Sequence, residues 1–180
     1  MRRGGSKVAA VAAGRIRLLS LSADALAALA DHDGRRFRAI TGLAAGDDVR
    51  PPPLMQDALP FVAEQVRSHP DAAPWWMWAI ALDGCFAGTV GFAGAPDADG
   101  VVQVGYSVLP ELQRRAVATD ALRAIVAWAF DHPEVCRVRA TIPPWNAPSI
   151  RVAEKVGFAR SGTDHDDEVG EVYVYALERS

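Results

Sequence analysis

The sequence predicts an α+β fold in which helices pack on one mixed sheet. The middle of the chain contains three short apolar segments separated by turn signals, a pattern typical of an antiparallel meander. Segments with helical periodicity lie before and after this meander, and the later ones alternate with strand-like segments. The predicted order of elements is β-α-α-β-β-β-α-β-α-β-β, which is a layered α+β arrangement.

The chain before the meander begins with a predicted leader, a strand and a helix. Residues 1–14 are predicted to form a flexible leader, and residues 16–19 to form the first strand. Ser22 is a suitable N-cap for a helix that runs to about residue 30, because a serine hydroxyl accepts a hydrogen bond from the first helical turn. Asp24 would lie in that turn, where the helix dipole favours negative charge.

A proline-rich stretch separates this helix from the next one. Residues 34–60 are predicted to be irregular, since the three consecutive prolines at 51–53 suit neither a helix interior nor a central strand. A second helix is predicted over Leu59–Ser68, ending before Pro70. No motif in residues 22–74 indicates a particular chemistry.

The meander is predicted from its turns. An aromatic and apolar strand over residues 75–82 is followed by the pair Asp-Gly at 83–84, which is a strong signal for a two-residue hairpin turn. The hairpin leads into a strand over Cys85–Phe92. A second turn over residues 96–100 leads into a third strand over residues 101–109.

The last part of the chain alternates helices and strands. A helix over residues 119–131 has apolar residues at i, i+3, i+4 and i+7, which define one buried face. Arg137–Ile142 has the alternation of a strand, and Asn146 is predicted to cap a helix that ends at Gly157. Two further strands are predicted over residues 158–163 and 171–177.

Composition argues against several classes of protein. The 180 residues carry a net charge of −3, which argues against nucleic acid as the main partner. No apolar run is long enough to cross a membrane, and no targeting segment is recognisable, so a cytoplasmic location is expected. The basic residues are mostly arginine, which we interpret as the coding bias of a GC-rich bacterium.

No metal site is predicted. Cys85 and Cys136 lie in apolar runs and are predicted to be buried, reduced thiols. No Cys/His spacing fits a zinc site. The acidic run at 164–168 is interpreted as a solvated hairpin loop, because blocks of like charge repel one another and remain hydrated.

A short basic loop between the third strand of the meander and the next helix predicts an anion site. The strand-like run stops at Pro110, and the loop over residues 113–118 contains Arg114 and Arg115. The helix that begins at Thr119 presents backbone N–H groups that have no partner within the helix, and its dipole favours negative charge there. Phosphate is the natural ligand, to which the two arginines would add charge-assisted hydrogen bonds.

Two motifs in this part of the chain resemble those of a known family. Gln113-Arg-Arg-Ala116-Val-Ala118 is similar to the pyrophosphate loop of the GCN5-related N-acetyltransferase (GNAT) superfamily, Gln/Arg-x-x-Gly-x-Gly/Ala. Asn146-Ala-Pro-Ser149, followed by Glu154-Lys155-Val-Gly157-Phe158, resembles the Asn-x-x-Ser/Ala and Glu-Lys-x-Gly-Phe pattern of the same family. Because both occur in order and on the expected elements, the resemblance is specific over residues 75–180. It is closest to the ribosomal-protein N-terminal acetyltransferases and their small-molecule relatives.

The resemblance implies a fold, a cosubstrate and a reaction. The fold would be the GNAT fold, with a single mixed, mostly antiparallel sheet and helices on both faces, in one domain over residues 15–180. Acetyl-coenzyme A would donate an acetyl group directly to a primary amine, either a protein N-terminus or a small molecule, and the enzyme would be a monomer or a homodimer. The residues expected to bind the cosubstrate are Val108, Gln113, Arg114, Arg115, Ala116, Val117, Ala118, Thr119, Asn146 and Ser149.

Catalytic roles also follow from the resemblance. The backbone N–H near Val108 would stabilise the developing oxyanion, and the strands carrying Val108 and Thr141 would separate to admit pantetheine. Ser149 would protonate or stabilise the departing thiolate, and Asn146 would hold the pantetheine arm or the acceptor. Glu111 is a candidate general base that would remove a proton from the amine.

Two departures from the family pattern leave an alternative open. Ala116 stands where the family has its first loop glycine, so we expect either that Ala116 is not left-handed or that cofactor affinity is weakened. Ala153 stands where many members have a proton-donating tyrosine. The alternative is a catalytically weak or silent acyl-coenzyme A sensor. Three tryptophans would form core packing, line an acceptor pocket or form a dimer face; these are Trp75, Trp76 and Trp78.

Overall fold

The computed structural model describes residues 8–53 and 55–180 and arranges them around one eight-stranded sheet. The strand order is β1-β2-β3-β4-β5-β6-β8-β7, in which only the β5–β6 pair is parallel among the described residues. The strands are β1 (Ala10–Ala13), β2 (Ile16–Ser20), β3 (Met77–Leu82), β4 (Cys85–Phe92), β5 (Val101–Val108), β6 (Arg137–Ile142), β7 (Ala159–Asp166) and β8 (Gly170–Glu178).

Helices cover both faces of this sheet, so the predicted α+β fold is confirmed. The helices are α1 (Ala23–Ala30), α2 (Gly34–Thr41), α3 (Leu59–Ser68), α4 (Val117–Phe130) and α5 (Ala147–Val156). The first three pack on one face around a core that includes Leu26 and Phe37. The other two pack on the opposite face around a core that includes Leu122 and Ala153.

The predicted leader is wrong in part. Residues 10–13 form β1, which pairs with β2 from Ala10 opposite Leu19 to Ala13 opposite Ile16. The prediction failed because this small-residue run has no alternation of polar and apolar positions, so its partner strand rather than its own pattern holds it. Residues 1–7 lie outside the described part of the chain.

The stretch predicted to be irregular contains α2. Asp33 caps this helix by accepting a hydrogen bond from the Arg36 N–H at 2.9 Å, and Gly42 ends it with a φ of 71°. The helix is short, three of its eight residues are arginines, and only Gly34 and Phe37 are buried, so its few apolar residues did not reveal a helix in the sequence. Helices α1 and α3 are confirmed, with Ser22 capping α1 through the Ala25 N–H.

The predicted hairpin turn between β3 and β4 is confirmed. Asp83 and Gly84 both have positive φ, at 49° and 83°, as a tight two-residue turn requires. β3 begins at Met77 rather than at residue 75, because Trp75 ends a turn of 3-10 helix that starts at Pro70.

The tryptophans divide between the two faces of the sheet. Trp78 is fully buried and donates from Nε1 to the Pro74 carbonyl oxygen at 2.7 Å. Trp75 packs against Trp128 of α4, with ring centroids 4.8 Å apart. Trp76 lies on the other face, next to Phe61 of α3. Core packing is therefore the role of Trp75 and Trp78.

The prediction of buried cysteines is wrong. Cys85 and Cys136 are both exposed free thiols, because each lies at the end of a strand rather than in its middle. Cys85 is the first residue of β4, and Cys136 immediately precedes β6, where its thiol donates to the Asp99 carbonyl oxygen at 3.0 Å.

Part of the acidic run is also not a loop, since residues 164–166 end β7. No helix in the described residues is long and apolar enough to span a membrane.

Candidate active site

β5 and β6 separate along their length and leave a cleft in the sheet. Their parallel pairing covers three positions and ends where Gln103 lies opposite Arg139. β5 then continues to Val108 and β6 to Ile142, with no pairing between these outer parts in the described structure. The two strands that were expected to separate therefore do so.

The backbone of β5 presents polar groups to this cleft. The Leu109 N–H donates to the Ala87 carbonyl oxygen at 2.9 Å, and the Gln103 carbonyl oxygen accepts from the Ala93 N–H at 3.0 Å. Because successive residues of a strand alternate in direction, the even-numbered residues Tyr106 and Val108 turn their N–H and C=O groups toward the cleft. In the described part of the chain no strand lies there to pair with them.

The loop after β5 has an alternating backbone. Arg114 and Ala116 both have a φ of 62°, whereas Arg115 between them does not have a positive φ. Such alternation turns successive N–H groups toward one side and forms a concave anion-binding surface. Gln113 stabilises the loop by donating from Nε2 to the Val108 carbonyl oxygen at 3.1 Å.

Ala116 has a left-handed backbone, so the expectation that it avoids the left-handed region is wrong. It is the N-cap of α4, with φ 62° and ψ 3°, and it has no side chain that can accept a hydrogen bond. A left-handed alanine costs about 1–2 kcal/mol relative to glycine. The strain is therefore present in the loop, at the position where the family has glycine.

α4 begins at Val117, two residues earlier than predicted, and its first turn is open. The first intrahelical bond runs from the Asp120 N–H to the Ala116 carbonyl oxygen at 2.9 Å. The N–H groups of Val117, Ala118 and Thr119 precede it and have no partner within the helix. The start of this 14-residue helix thus offers three donors beside the loop.

The charge around the loop is favourable to an anion. Arg114 and Arg115 are exposed, and neither forms an ion pair with any residue that the structure describes. The nearest acidic side chain in the helix, Asp120, is paired with Arg123 at 3.3 Å. The two loop arginines are therefore available to a ligand.

The second motif lies at the start of α5, on the α4 face of the sheet. Asn146 caps the helix, since its Oδ1 accepts from the Ser149 N–H at 3.3 Å. Gly157 ends the helix with a φ of 108°. This confirms the predicted cap and stop, and it fixes Ser149 in the first turn, beside β6.

Tyr106 is a residue of the site that the sequence did not reveal. The Ser149 hydroxyl donates to the Tyr106 phenol oxygen at 2.9 Å, and the phenol donates to the Ser149 carbonyl oxygen at 3.0 Å. Burial raises the pKa of the Tyr106 phenol, although the hydrogen bond with Ser149 acts in the opposite direction. The phenol therefore remains protonated at neutral pH. The sequence contains one indirect signal for this residue. In a strand over residues 101–109, the side chain of residue 106 lies on the same face as those of Val104 and Val108.

The opposite face of the cleft has a polar contact of its own. Gln103 of β5 donates from Nε2 to the Thr141 hydroxyl of β6 at 3.3 Å. Side-chain hydrogen bonds thus lie on both faces of the cleft, between Gln103 and Thr141 on one and between Tyr106 and Ser149 on the other.

Glu111 does not join this group of residues. It lies exposed in a short 3-10 helix over Pro110–Leu112. Its carboxylate forms no hydrogen bond or ion pair within the described residues, including Asn146, Ser149 and Tyr106. The loop at 113–118 and the start of α5 each contact β5, through Gln113 with Val108 and through Ser149 with Tyr106, and the loop leads directly into α4.

Known proteins share this sequence pattern and this fold. Residues 15–159 match the family described as "Acetyltransferase (GNAT) domain". The chain is 25% identical over 104 residues to the uncharacterized N-acetyltransferase YjdG of Bacillus subtilis, an alignment that covers 57% of this chain and 62% of that protein. The chain thus aligns with less than two thirds of the length of this relative.

Solved structures agree with the sequence match. The ribosomal-protein-S5-alanine acetyltransferase from Vibrio fischeri superimposes with a TM-score of 0.66 at 16% identity, covering 94% of this chain and 96% of that one. The aminoglycoside acetyltransferase AAC(6')-Ib, solved with coenzyme A, gives a TM-score of 0.63 at 21% identity, covering 91% of this chain and 95% of that one. The fold and the site define a GNAT acetyltransferase domain. This chain belongs to the GNAT family, as its two motifs predicted.

Proposed function

We propose that this protein is an N-acetyltransferase that moves an acetyl group from acetyl-coenzyme A to a primary amine. The proposal rests on one observation: the anion-binding loop follows the end of β5, where β5 and β6 are separated by the cleft. Gln113–Thr119 supplies N–H groups and two free arginines, and the cleft between β5 and β6 begins beside it. A cosubstrate that has a pyrophosphate at one end and an extended thioester arm at the other fits both features.

Binding would use each part of the site differently. The N–H groups of Val117, Ala118 and Thr119 and those of the loop would hold the pyrophosphate, with Arg114 and Arg115 adding charge-assisted bonds. The arm would lie in the cleft, where the outward backbone groups of β5 act as a strand edge. The amide of Asn146 has its oxygen engaged in the cap, which leaves its nitrogen as a donor to that arm.

Acetyl transfer needs three groups from the protein: a donor to the oxyanion, a proton donor to the sulfur and an acceptor for the amine proton. The amine nitrogen forms a bond to the acetyl carbon while the carbon–sulfur bond breaks, so negative charge develops first on oxygen and then on sulfur. The Val108 N–H faces the cleft and would stabilise the oxyanion. The hydroxyl pair of Ser149 and Tyr106 would give a proton to the sulfur, and the neutral state of the phenol suits that role.

The proton of the amine needs an acceptor. Glu111 remains a candidate because it is exposed and has no competing ion pair among the described residues. Removal of the proton through water to Glu111 would give the neutral amine that the reaction requires. Glu111→Gln should then lower turnover most at low pH, where the amine is most fully protonated.

A silent sensor of acyl-coenzyme A is the alternative function. Two residues support it. The left-handed Ala116 strains the loop. Ala153 stands where many family members have a proton-donating side chain. The hydroxyl pair of Ser149 and Tyr106 supports the enzyme instead, because it offers a donor from the start of α5 and from β5 in place of the one missing at position 153.

Calorimetry with acetyl-coenzyme A, followed by an assay of thiol release over a panel of amines, separates these functions. We expect binding, and release of coenzyme A that depends on the amine. Tight binding without release on any amine would favour the sensor, and the absence of binding would contradict both.

A further inference from the structure

A cavity of about 260 Å³ lies on the α3 face of the sheet, beneath the segment that leads into α3. It reaches β5 at Gln103, Val104 and Gly105, which is where the pairing of β5 with β6 ends. The cavity therefore adjoins the cleft from the side opposite to α4 and α5. An acceptor in this cavity would approach the cleft from the face that the cosubstrate loop leaves free.

The wall of this cavity is apolar and carries no charged side chain. Its aromatic part is the pair Phe61 and Trp76, whose ring centroids are 5.8 Å apart in an edge-to-face contact. Phe61 is 59% exposed, which is unusual for a phenylalanine beside a core and places it at the entrance. Met55, Ala58 and Val62 contribute further apolar side chains from the segment above the sheet. A polycation in this cavity would lose its hydration without gaining a carboxylate.

One polar group in the wall lacks a partner. The Thr89 side chain is 1% exposed, and its hydroxyl forms no hydrogen bond with any residue that the structure describes. A buried hydroxyl without a partner is destabilising, because it has lost its hydrogen bonds to water. Thr89 of β4 pairs with Ser107 of β5, so this hydroxyl lies one strand away from the cleft, which opens along the other side of β5. A ligand with a hydrogen-bonding head and an apolar body would satisfy the hydroxyl and fill the cavity.

We propose that this cavity holds the apolar body of the acceptor, which is a primary amine carried on a group about the size of one aromatic ring. The assignment rests on the proposed acetyltransferase function and adds the substrate class. A cavity of about 150 Å³ is enough for benzene, so the present one has room for a ring together with a short alkyl chain. The Thr89 hydroxyl is the hydrogen-bonding partner of the amine end. A free arylalkylamine and a polypeptide with an aromatic first residue share this chemistry.

The first experiment measures binding independently of turnover. 2-Phenylethylamine is titrated by calorimetry into the complex of the full chain with coenzyme A, and ethanolamine and kanamycin serve as comparison ligands. We expect 2-phenylethylamine to bind at least tenfold more tightly than ethanolamine, because burying an apolar ring is favourable. Equal or tighter binding of ethanolamine or kanamycin would overturn the acceptor class, whatever the turnover assay shows.

The second experiment fills the cavity. The backbone of Gly105 does not have a positive φ, and a Cβ there would meet no atom within 4 Å, so Gly105→Val places a side chain in open space. Gly46→Val is the matched control, because Gly46 also has open space and lies outside the cavity wall. We expect Gly105→Val alone to weaken 2-phenylethylamine binding at least tenfold and to leave acetyl-coenzyme A affinity within about twofold. Unchanged amine binding in Gly105→Val would overturn the inference.

Turnover then identifies the source of the amine. Thiol release is compared for 2-phenylethylamine, a peptide that begins with phenylalanine and the same peptide beginning with serine. Release with either aromatic acceptor in preference to the serine peptide supports the inference and identifies the source. Preference for the serine peptide would overturn it. Amine binding without any release would contradict the proposed activity but not the cavity assignment.

Discussion

Ser149 of α5 and Tyr106 of β5 hold each other by two hydrogen bonds at one face of the cleft. The serine hydroxyl donates to the phenol at 2.9 Å, and the phenol donates to the serine carbonyl oxygen at 3.0 Å. The phenol thus joins the start of α5 to the strand whose Val108 N–H faces the same cleft. The groups proposed as proton donor and oxyanion donor, the Tyr106 phenol and the Val108 N–H, therefore lie two residues apart on β5.

The hydroxyl pair gives the first prediction. We expect Ser149→Ala and Tyr106→Phe each to lower kcat by about 10²-fold, the lower end of what general acid catalysis contributes. Affinity for acetyl-coenzyme A, measured by calorimetry, should change little, because neither hydroxyl contacts the anion-binding loop. A double variant that is no slower than either single variant would show that the two act as one unit. Unchanged kcat in both single variants would leave Ser149 as a residue of the helix start only.

The buried phenol also predicts how stability depends on pH. Burial raises the pKa of Tyr106 in the folded protein, whereas in the unfolded chain the phenol ionises near pH 10. Below about pH 10 the phenol is protonated in both states and the free energy of unfolding is unaffected. As the pH rises further, the unfolded chain loses its proton first, so the free energy of unfolding falls.

Urea denaturation from about pH 8 to about pH 11 measures this effect. Tyr106→Phe is the comparison, because the pKa of Tyr175 is also raised, chiefly by burial, and that group is present in both proteins. We expect the midpoint to fall more steeply in the wild type than in Tyr106→Phe. Parallel curves would contradict a raised pKa at Tyr106.

The left-handed Ala116 gives the third prediction. Replacing it with glycine removes about 1–2 kcal/mol of strain and costs about 0.4–1 kcal/mol through the greater freedom of the unfolded chain. We expect Ala116→Gly to raise the free energy of unfolding slightly and to leave or improve acetyl-coenzyme A affinity.

Ala127→Gly is the matched control for that variant. Ala127 is exposed in the interior of α4, where glycine costs about 1 kcal/mol, so this substitution should change stability in the opposite direction. A marked loss of cosubstrate affinity in Ala116→Gly would show that the alanine is adapted to its loop.

The loop arginines give the fourth prediction. The double variant Arg114→Gln, Arg115→Gln should weaken acetyl-coenzyme A binding at least tenfold, since two charge-assisted hydrogen bonds to phosphate are lost. The dependence of binding on salt should decrease at the same time, because exposed charges are screened. Arg35→Gln is the control, an exposed arginine of α2 that lies on the opposite face of the sheet. An equal effect of Arg35→Gln would indicate a general effect of net charge.

Local signals predicted most of the fold, including the elements that carry the candidate site. The Ser22 cap, the Asp-Gly turn and the Asn146 cap are each specified by one or two residues, and all three occur as predicted. The α2 helix was missed because its buried face consists of only two residues, Gly34 and Phe37. Tyr106 was missed because its contact with Ser149 joins residues 43 positions apart, and no local pattern specifies such a pair.

The last prediction concerns the helix that the sequence concealed. Gly34 opens α2, and its N–H donates to the Asp47 carbonyl oxygen at 2.9 Å. A Cβ at this position would lie 1.8 Å from the Gly46 carbonyl oxygen, so Gly34→Ala must displace backbone. We expect a loss of about 1–3 kcal/mol in the free energy of unfolding, which is typical of overpacking.

Gly46→Ala tests the same contact from its other side. A Cβ at Gly46 meets nothing within 4 Å, so this variant should change the free energy of unfolding by less than about 0.5 kcal/mol. The two urea midpoints then differ although the substitution is chemically the same. Equal and small effects would show that the segment around Gly46 moves aside, in which case close backbone packing is not what requires glycine at the start of α2.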